Sequence, residues 1–188
     1  MDKSEKAMGN TIRTERLYII PSVEPYDLDR YLSDLLSTND FYFQYGEPYS
    51  DELLNFIDFH STGVIYYSIF LKNTQTMVGY IGILPHEYDP AHGEIEFYIF
   101  HDYRRQGLCK EAMTAYIDSF FTGSLTGVRG KQVTAEALME NEVVLKLLES
   151  FGFERESVGL RLSFSEDGGV DHDEAIIGTR RYILGAEP

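Results

Sequence analysis

The sequence predicts one mixed α/β (α+β) domain. Three observations carry that expectation. Apolar runs rich in β-branched and aromatic residues recur along the chain, apolar stripes at helical spacing lie between them, and the two alternate as β-αα-β-β-β-α-β-α-β-β. At 188 residues, 43% of them hydrophobic, the chain is long and apolar enough for a sizeable single core, and no repeat, linker or low-complexity tract divides it.

Residues 1–10, "MDKSEKAMGN", are polar and read as a flexible end, leaving 11–188 as the domain. "RLYIIP" (16–21) reads as a strand stopped by Pro21. Leu28, Tyr31, Leu32, Leu35 and Leu36 form a helical stripe. The aromatic loop "NDFYFQYGEPYS" (39–50) leads to a second short helix over 51–60. "GVIYYSIFL" (63–71) and "TMVGYIGIL" (76–84) make a hairpin across a tight polar loop. "HEYDPAHG" (86–93) reads as a turn before the strand "EIEFYIF" (94–100), whose faces are Glu94, Glu96, Tyr98, Phe100 and Ile95, Phe97, Ile99. Ala112, Met113, Tyr116, Ile117, Phe120 and Phe121 mark a one-sided helix, followed by the strand "KQVTAEAL" (131–138). Asn141 suits the N-cap of the next helix, which buries Val143, Val144, Leu147, Leu148 and Phe151 and ends at Gly152. "GLRLSFS" (159–165) and "EAIIGTRRYIL" (174–184) close the chain as a hairpin around the acidic loop 166–173.

Sixteen Lys and Arg against thirty-one Asp and Glu leave a net charge of -15. A field of that sign repels nucleic-acid phosphates and attracts amines or basic peptides, although an acidic surface also simply confers solubility. One cysteine excludes an internal disulfide, and neither the cysteine nor His92, His101 and His172 has metal-site spacing, so no metal is expected. No apolar run is long enough to span a bilayer and no secretory leader pattern is visible, which reads as a cytoplasmic protein without a membrane partner.

The stretch "YRRQGLCKEAM" (103–113) places Arg104, Arg105 and Gln106 before Gly107, with a helix starting at once and Lys110 one turn along. Basic residues at a helix start run against the helix dipole, which prefers anions there. A bare glycine backbone and unpaired N–H groups can cradle a phosphate. The same spacing also fits an ordinary turn with solvated arginines. Neither a Walker pattern nor G-x-G-x-x-G is present, which argues against a nucleoside triphosphatase and a dinucleotide enzyme.

"RRQGLC" resembles the Q/R-x-x-G-x-G/A motif of the GCN5-related N-acetyltransferase (GNAT) superfamily. The strand "GEIEFYIFHDY" before it, and the strand, asparagine and helix of "VTAEALMENEVVLKLLESFGFERES" (133–157), are similar to that family's motifs in the same order. The resemblance covers about residues 11–184, and "TERLYII" is most similar to the branch with the ribosomal-protein N-acetyltransferases.

It implies a mostly antiparallel central sheet splayed between the fourth and fifth strands and flanked by helices. Acetyl-CoA would occupy that gap, its pantetheine arm against the backbone of Phe97, Tyr98 and Ile99. Its pyrophosphate would meet the N–H groups of Arg105, Gln106, Gly107, Leu108, Cys109 and Lys110, with Arg104 adding charge. Asn141 would contact the cosubstrate, cap its helix, or do both. The implied reaction is direct acetyl transfer to a primary amine, of a small molecule or a peptide N-terminus. Glu94 and Glu136 are the candidate bases and Glu96 the third. The acceptor would face the aromatic loop with Phe41, Tyr42, Phe43, Tyr45 and Tyr49, aromatics that also fit plain core packing, and the domain would be able to dimerise.

Departures from the pattern keep an alternative open, a non-enzymatic GNAT-like module that binds acyl-CoA or a protein. The family's usual proton donors to the leaving thiolate are replaced by Leu148 and Val144, so that Tyr98, Tyr182 or water would have to serve. Cys109 stands where the family has Gly or Ala. It reads as a small buried hydrophobe rather than a nucleophile.

Overall fold

A computed structural model describes residues 11–22, 28–38, 40, 65–162 and 176–185. The aromatic loop apart from Asp40, the helix expected over 51–60, the acidic loop 166–173 and the chain end before residue 11 lie outside the described residues. Among these residues the fold is one eight-stranded sheet with three helices, in the order β1 (Ile12–Arg13), β2 (Leu17–Pro21), α1 (Leu28–Ser37), β3 (Ile65–Leu71), β4 (Met77–His86), β5 (Asp89–Ile99), α2 (Leu108–Phe121), β6 (Gln132–Leu138), α3 (Glu142–Ser150), β7 (Glu154–Leu162) and β8 (Ile176–Gly185). The spatial order is β1-β2-β3-β4-β5-β6-β8-β7, and every pairing is antiparallel except β5 with β6.

Two expectations about extent are corrected. The segment 86–93 is not a long turn: β4 runs through His86, β5 starts at Asp89, and only Glu87 and Tyr88 form the tip. Alternation of side chains continues through it, and Pro85 sits opposite Gly93, where its missing N–H is tolerated. The last hairpin starts earlier than read, since β7 begins at Glu154 on charged residues whose side chains face outward at the sheet edge. The two-residue β1 was not anticipated.

Two faces of the sheet are buried differently. Ile81, Ile83, Ile95, Ile99, Val133, Ala135 and Tyr182 pack with Leu108, Ala112, Met113, Tyr116 and Phe120 of α2 and with Leu145 and Leu148 of α3. On the opposite face Tyr31 and Leu35 of α1 pack on Tyr80, Tyr98 and Phe100, with the Tyr31 ring edge-on to both Tyr80 and Tyr98. Leu36, expected in that stripe, is exposed.

The α3 ends match their sequence signals. The Asn141 side-chain oxygen accepts from the Val144 N–H at 3.3 Å. At the other end Gly152 takes φ 83°, its N–H bonds to Glu149 O, and the Phe153 N–H bonds to Leu148 O, the two bonds of a Schellman cap.

Candidate active site

The β5–β6 ladder is short. Only His92, Gly93 and Glu94 pair with Gln132, Val133 and Thr134. Beyond that row β5 continues to Ile99 and β6 to Leu138 without pairing to each other, while β6 stays paired with β8 along its length. The sheet therefore opens into a gap between these strands, the fourth and fifth of the expected pattern once β1 is set aside.

Backbone direction decides which groups line the gap. The Phe100 N–H donates to Val78 O on β4. Across the same trans peptide the Ile99 carbonyl points the opposite way, into the gap. By the two-residue alternation of a strand, the N–H and C=O of Phe97 and Ile99 face the gap and those of Tyr98 face β4. The Tyr98 oxygen lies only 2.1 Å from where a Cβ on Gly79 would stand, which agrees with that direction. Of the three residues expected to present backbone groups, Phe97 and Ile99 do so and Tyr98 does not.

The gap leads to the start of α2. Gly107 is the N-cap at φ 75° and contributes no capping side chain, so the first-turn N–H groups keep the openness of an uncapped helix end. Arg105 is also left-handed, at φ 58°. Arg105, Gln106, Gly107 and Lys110 are exposed, while Leu108 is buried in the core. A Cβ built at Gly107 meets nothing nearer than Arg16 Nη2 at 3.5 Å, so its solvent side is open for an anion to approach the backbone. These residues fit a pyrophosphate. Lys110 reaches over the Phe151 ring, 5.8 Å from its centroid, at the far end of α3.

Arg104 departs from its expected place beside the anion. Its Nη2 lies 2.6 Å from Asp40 Oδ2, its Nε donates to Ile99 O at 2.8 Å, and its guanidinium stands 5.0 Å from the Tyr98 ring centroid. The Tyr98 hydroxyl donates to Asp34 Oδ2 at 2.8 Å, and the same carboxylate accepts from the His101 N–H at 2.9 Å. This node joins α1 to the end of β5 and to the loop.

The three carboxylates share one face of the sheet, the α1 side. Glu94 belongs to the Leu84–Glu94–Thr134 row, the last before the strands part, and is half-buried. Glu96 accepts from the Tyr66 hydroxyl at 2.7 Å. Glu136 is exposed and stands directly opposite Arg181 of β8.

Neither tyrosine suggested as proton donor is placed for it. Burial pushes the Tyr98 phenol far above its ordinary range, reinforced by the hydrogen bond to Asp34 and the Asp40 charge. Its proton is already committed to Asp34 Oδ2, which leaves none to give a thiolate. Tyr182 lies on the α3 face, away from the glutamates, with its hydroxyl on Glu149 Oε1 at 3.1 Å. Leu148 is in the core and Val144 is partly buried on α3.

The GNAT acetyltransferase domain model matches residues 16–154. This chain belongs to the GNAT acetyltransferase family. Solved structures similar to this GNAT domain include the ribosomal-protein-S5-alanine acetyltransferase from Vibrio fischeri (15% identity, TM-score 0.64, 93% of this chain and 96% of that one). A GNAT-family acetyltransferase from Bacillus anthracis is another (18%, 0.61, 93% and 98%). A third is an acetyltransferase from Agrobacterium tumefaciens (19%, 0.63, 94% and 94%). At these identities the likeness shows the fold. No curated protein matches the sequence.

In this GNAT domain Cys109 is partly buried against the core, and burial pushes its thiol up to about 12, opposed by the Arg104 charge. A thiol this hard to ionise is a poor nucleophile at neutral pH. Cys109→Ala is expected to keep kcat within about twofold, and iodoacetamide at pH 7 to leave the activity of the unmodified enzyme intact; rapid loss on alkylation would contradict both.

Sequence reasoning missed Arg16, Asp34, Asp40 and Tyr66. "TERLYII" contains Arg16, but nothing local shows that its partner lies 95 residues away on α2. No described group of three or more His, Cys, Asp or Glu could hold a metal ion, and no described helix is long and apolar enough to cross a membrane.

Proposed function

We propose that this GNAT domain transfers an acetyl group from acetyl-CoA directly to a primary amine, on a small molecule or a peptide N-terminus. The observation that carries the reading is the parting of β5 and β6 after Glu94, with the Phe97 and Ile99 backbone turned into the gap and the uncapped α2 start at its end. Acetyl-CoA supplies the activated thioester. The backbone of Phe97 and Ile99 would hold its amide-bearing arm and polarise the carbonyl. The N–H groups from Arg105 to Lys110 would hold its pyrophosphate, with charge from Arg105 and Lys110. Asn141, whose oxygen is spent on the cap, keeps its amide N–H groups for the cosubstrate. An ammonium has no lone pair for attack, so Glu94 takes the amine's proton, directly or through water. With Tyr98 and Tyr182 engaged elsewhere, solvent water returns a proton to the leaving thiolate.

The acidic chain favours a cationic acceptor, which it attracts before deprotonation. We place the reaction in the cytoplasm, a reading supported by a single thiol with no disulfide partner.

Calorimetry with acetyl-CoA tests the cosubstrate; no binding at millimolar concentration would end the proposal. Gly107→Asp is expected to weaken binding about tenfold or more, because it forces a side chain into a left-handed position and sets a charge against the phosphates. Unchanged affinity would show that the pyrophosphate lies elsewhere. Leu148 and Val144, which stand in place of the family's usual proton donors, favour one second reading, an acyl-CoA-binding module that does not turn over. A panel of amines with thiol release as readout separates the two.

A further inference from the structure

We infer that Arg16, on the turn between β1 and β2, is a positioning residue for the acetyl-CoA pyrophosphate, bracing the loop from outside without being part of its motif. The inference rests on the proposed reading of the α2 start as the phosphate site.

Three contacts define the brace. Arg16 Nη1 donates to the Gln106 carbonyl at 2.9 Å. Its Nε donates to Glu111 Oε2 at 2.6 Å, one helical turn into α2. Its backbone N–H donates to Glu111 Oε1 at 2.7 Å, and the Thr14 hydroxyl donates to the same oxygen. One guanidinium thus spans the loop before Gly107 and the helix after it, while Glu111 is anchored to the turn three ways. The turn is itself fixed to the sheet. The Thr14 N–H bonds to Leu17 O, and the Arg16 carbonyl accepts from the Lys72 N–H at the end of β3.

The loop needs such a hold. Arg105, which has a side chain, sits at φ 58° and Gly107 at φ 75°, and the first of these is intrinsically unfavourable. Gly107 brings no capping side chain to organise the turn. A carbonyl turned toward the phosphates would repel them; the Gln106 carbonyl is instead held by Arg16 on the β1–β2 side. The carboxylate that anchors the brace stays ionised over a wide pH range: burial works against its charge, but Thr14 and Arg16 outweigh that and hold Glu111 below the usual carboxylate range.

The test compares two acyl donors, acetyl-CoA and acetyl-pantetheine, which has the same thioester arm but no pyrophosphate. Arg16→Ala and Glu111→Gln are expected to raise the KM for acetyl-CoA about tenfold, with kcat within about twofold. Their kcat/KM for acetyl-pantetheine should equal that of the unmodified enzyme. Arg16→Lys keeps a charge but cannot fork to Gln106 and Glu111 together, and should restore only part of the affinity. Equal losses on both donors would mean a general structural role and overturn the inference, as would full affinity in Arg16→Lys. If Arg16→Ala does not fold, Glu111→Gln and Arg16→Lys decide. If the unmodified enzyme binds no acetyl-CoA, the proposed function fails, whereas loss of the donor difference alone sinks only the role of Arg16.

Discussion

Glu94→Gln is expected to lower kcat by about a hundredfold or more, the range that a positioned general base contributes, while the KM for acetyl-CoA moves by less than about twofold. The amide keeps the shape of the side chain and its row with Leu84 and Thr134, but cannot take a proton. Glu94 owes its position to the backbone: it is the last residue paired to both β4 and β6, so its backbone is fixed where the strands begin to part. Glu136→Gln should cost less than about threefold by the same measure. Glu136 is exposed, and Arg181, which stands opposite it across the β6–β8 pair, is bridged to Glu156 at 3.2 Å. Glu96 is tied to the Tyr66 hydroxyl. Steady-state thiol release on the three Gln variants ranks them. A larger kcat loss for Glu136→Gln than for Glu94→Gln would move the base to β6.

The parts legible in the sequence are those whose cause is local. Asn141 caps α3 because its side chain reaches an N–H three residues on, and Gly152 ends that helix because a left-handed residue is needed there. The alternation of Glu94, Ile95, Glu96 and Phe97 sets the carboxylates on one face whatever else the chain does. The short β4–β5 tip escaped because His86, Asp89 and Pro90 resemble loop residues, although their alternation continues into both strands. What local pattern cannot carry is the partner of a long side chain. Arg104 and Arg16 both sit near the motif, yet one turns back to Asp40 and the other braces Gln106, because their acids lie on α1's side and on α2. The acceptor wall read into Phe41, Tyr42, Phe43, Tyr45 and Tyr49 lies outside the described residues.

Asp40→Asn is expected to destabilise the fold by about 1–2 kcal/mol at pH 7, in line with a charged hydrogen bond that is partly exposed. For a chain of this length that corresponds to a fall in Tm of roughly 2–8 °C. Asp40 Oδ2 accepts from Arg104 at 2.6 Å and from the Thr38 hydroxyl and lies 3.2 Å from the Tyr98 hydroxyl, so neutralising it weakens the hold of the segment after α1 on Arg104 and on the end of β5. The pH dependence follows from the direction of its shift. Burial raises the carboxyl, but the hydrogen bonds and charge of Arg104, Thr38 and Tyr98 outweigh it, and the folded value falls below the ordinary 3.8. The folded state therefore favours the ionised form. Its extra stability is complete above the unfolded value and is lost as pH falls through the folded one. Urea unfolding from pH 7 down to about pH 3 should show the gap between unmodified protein and Asp40→Asn holding constant at first, then narrowing once pH passes below the unfolded value. A gap that widens in acid would mean that Asp40 is not held by these donors. Because Arg104 also covers the Ile99 carbonyl in the gap, the same variant reports whether that arginine is held by α1 or by β5. If α1 holds it, Asp40→Asn should change the KM for acetyl-CoA as well as stability; if the Ile99 contact suffices, only stability should move.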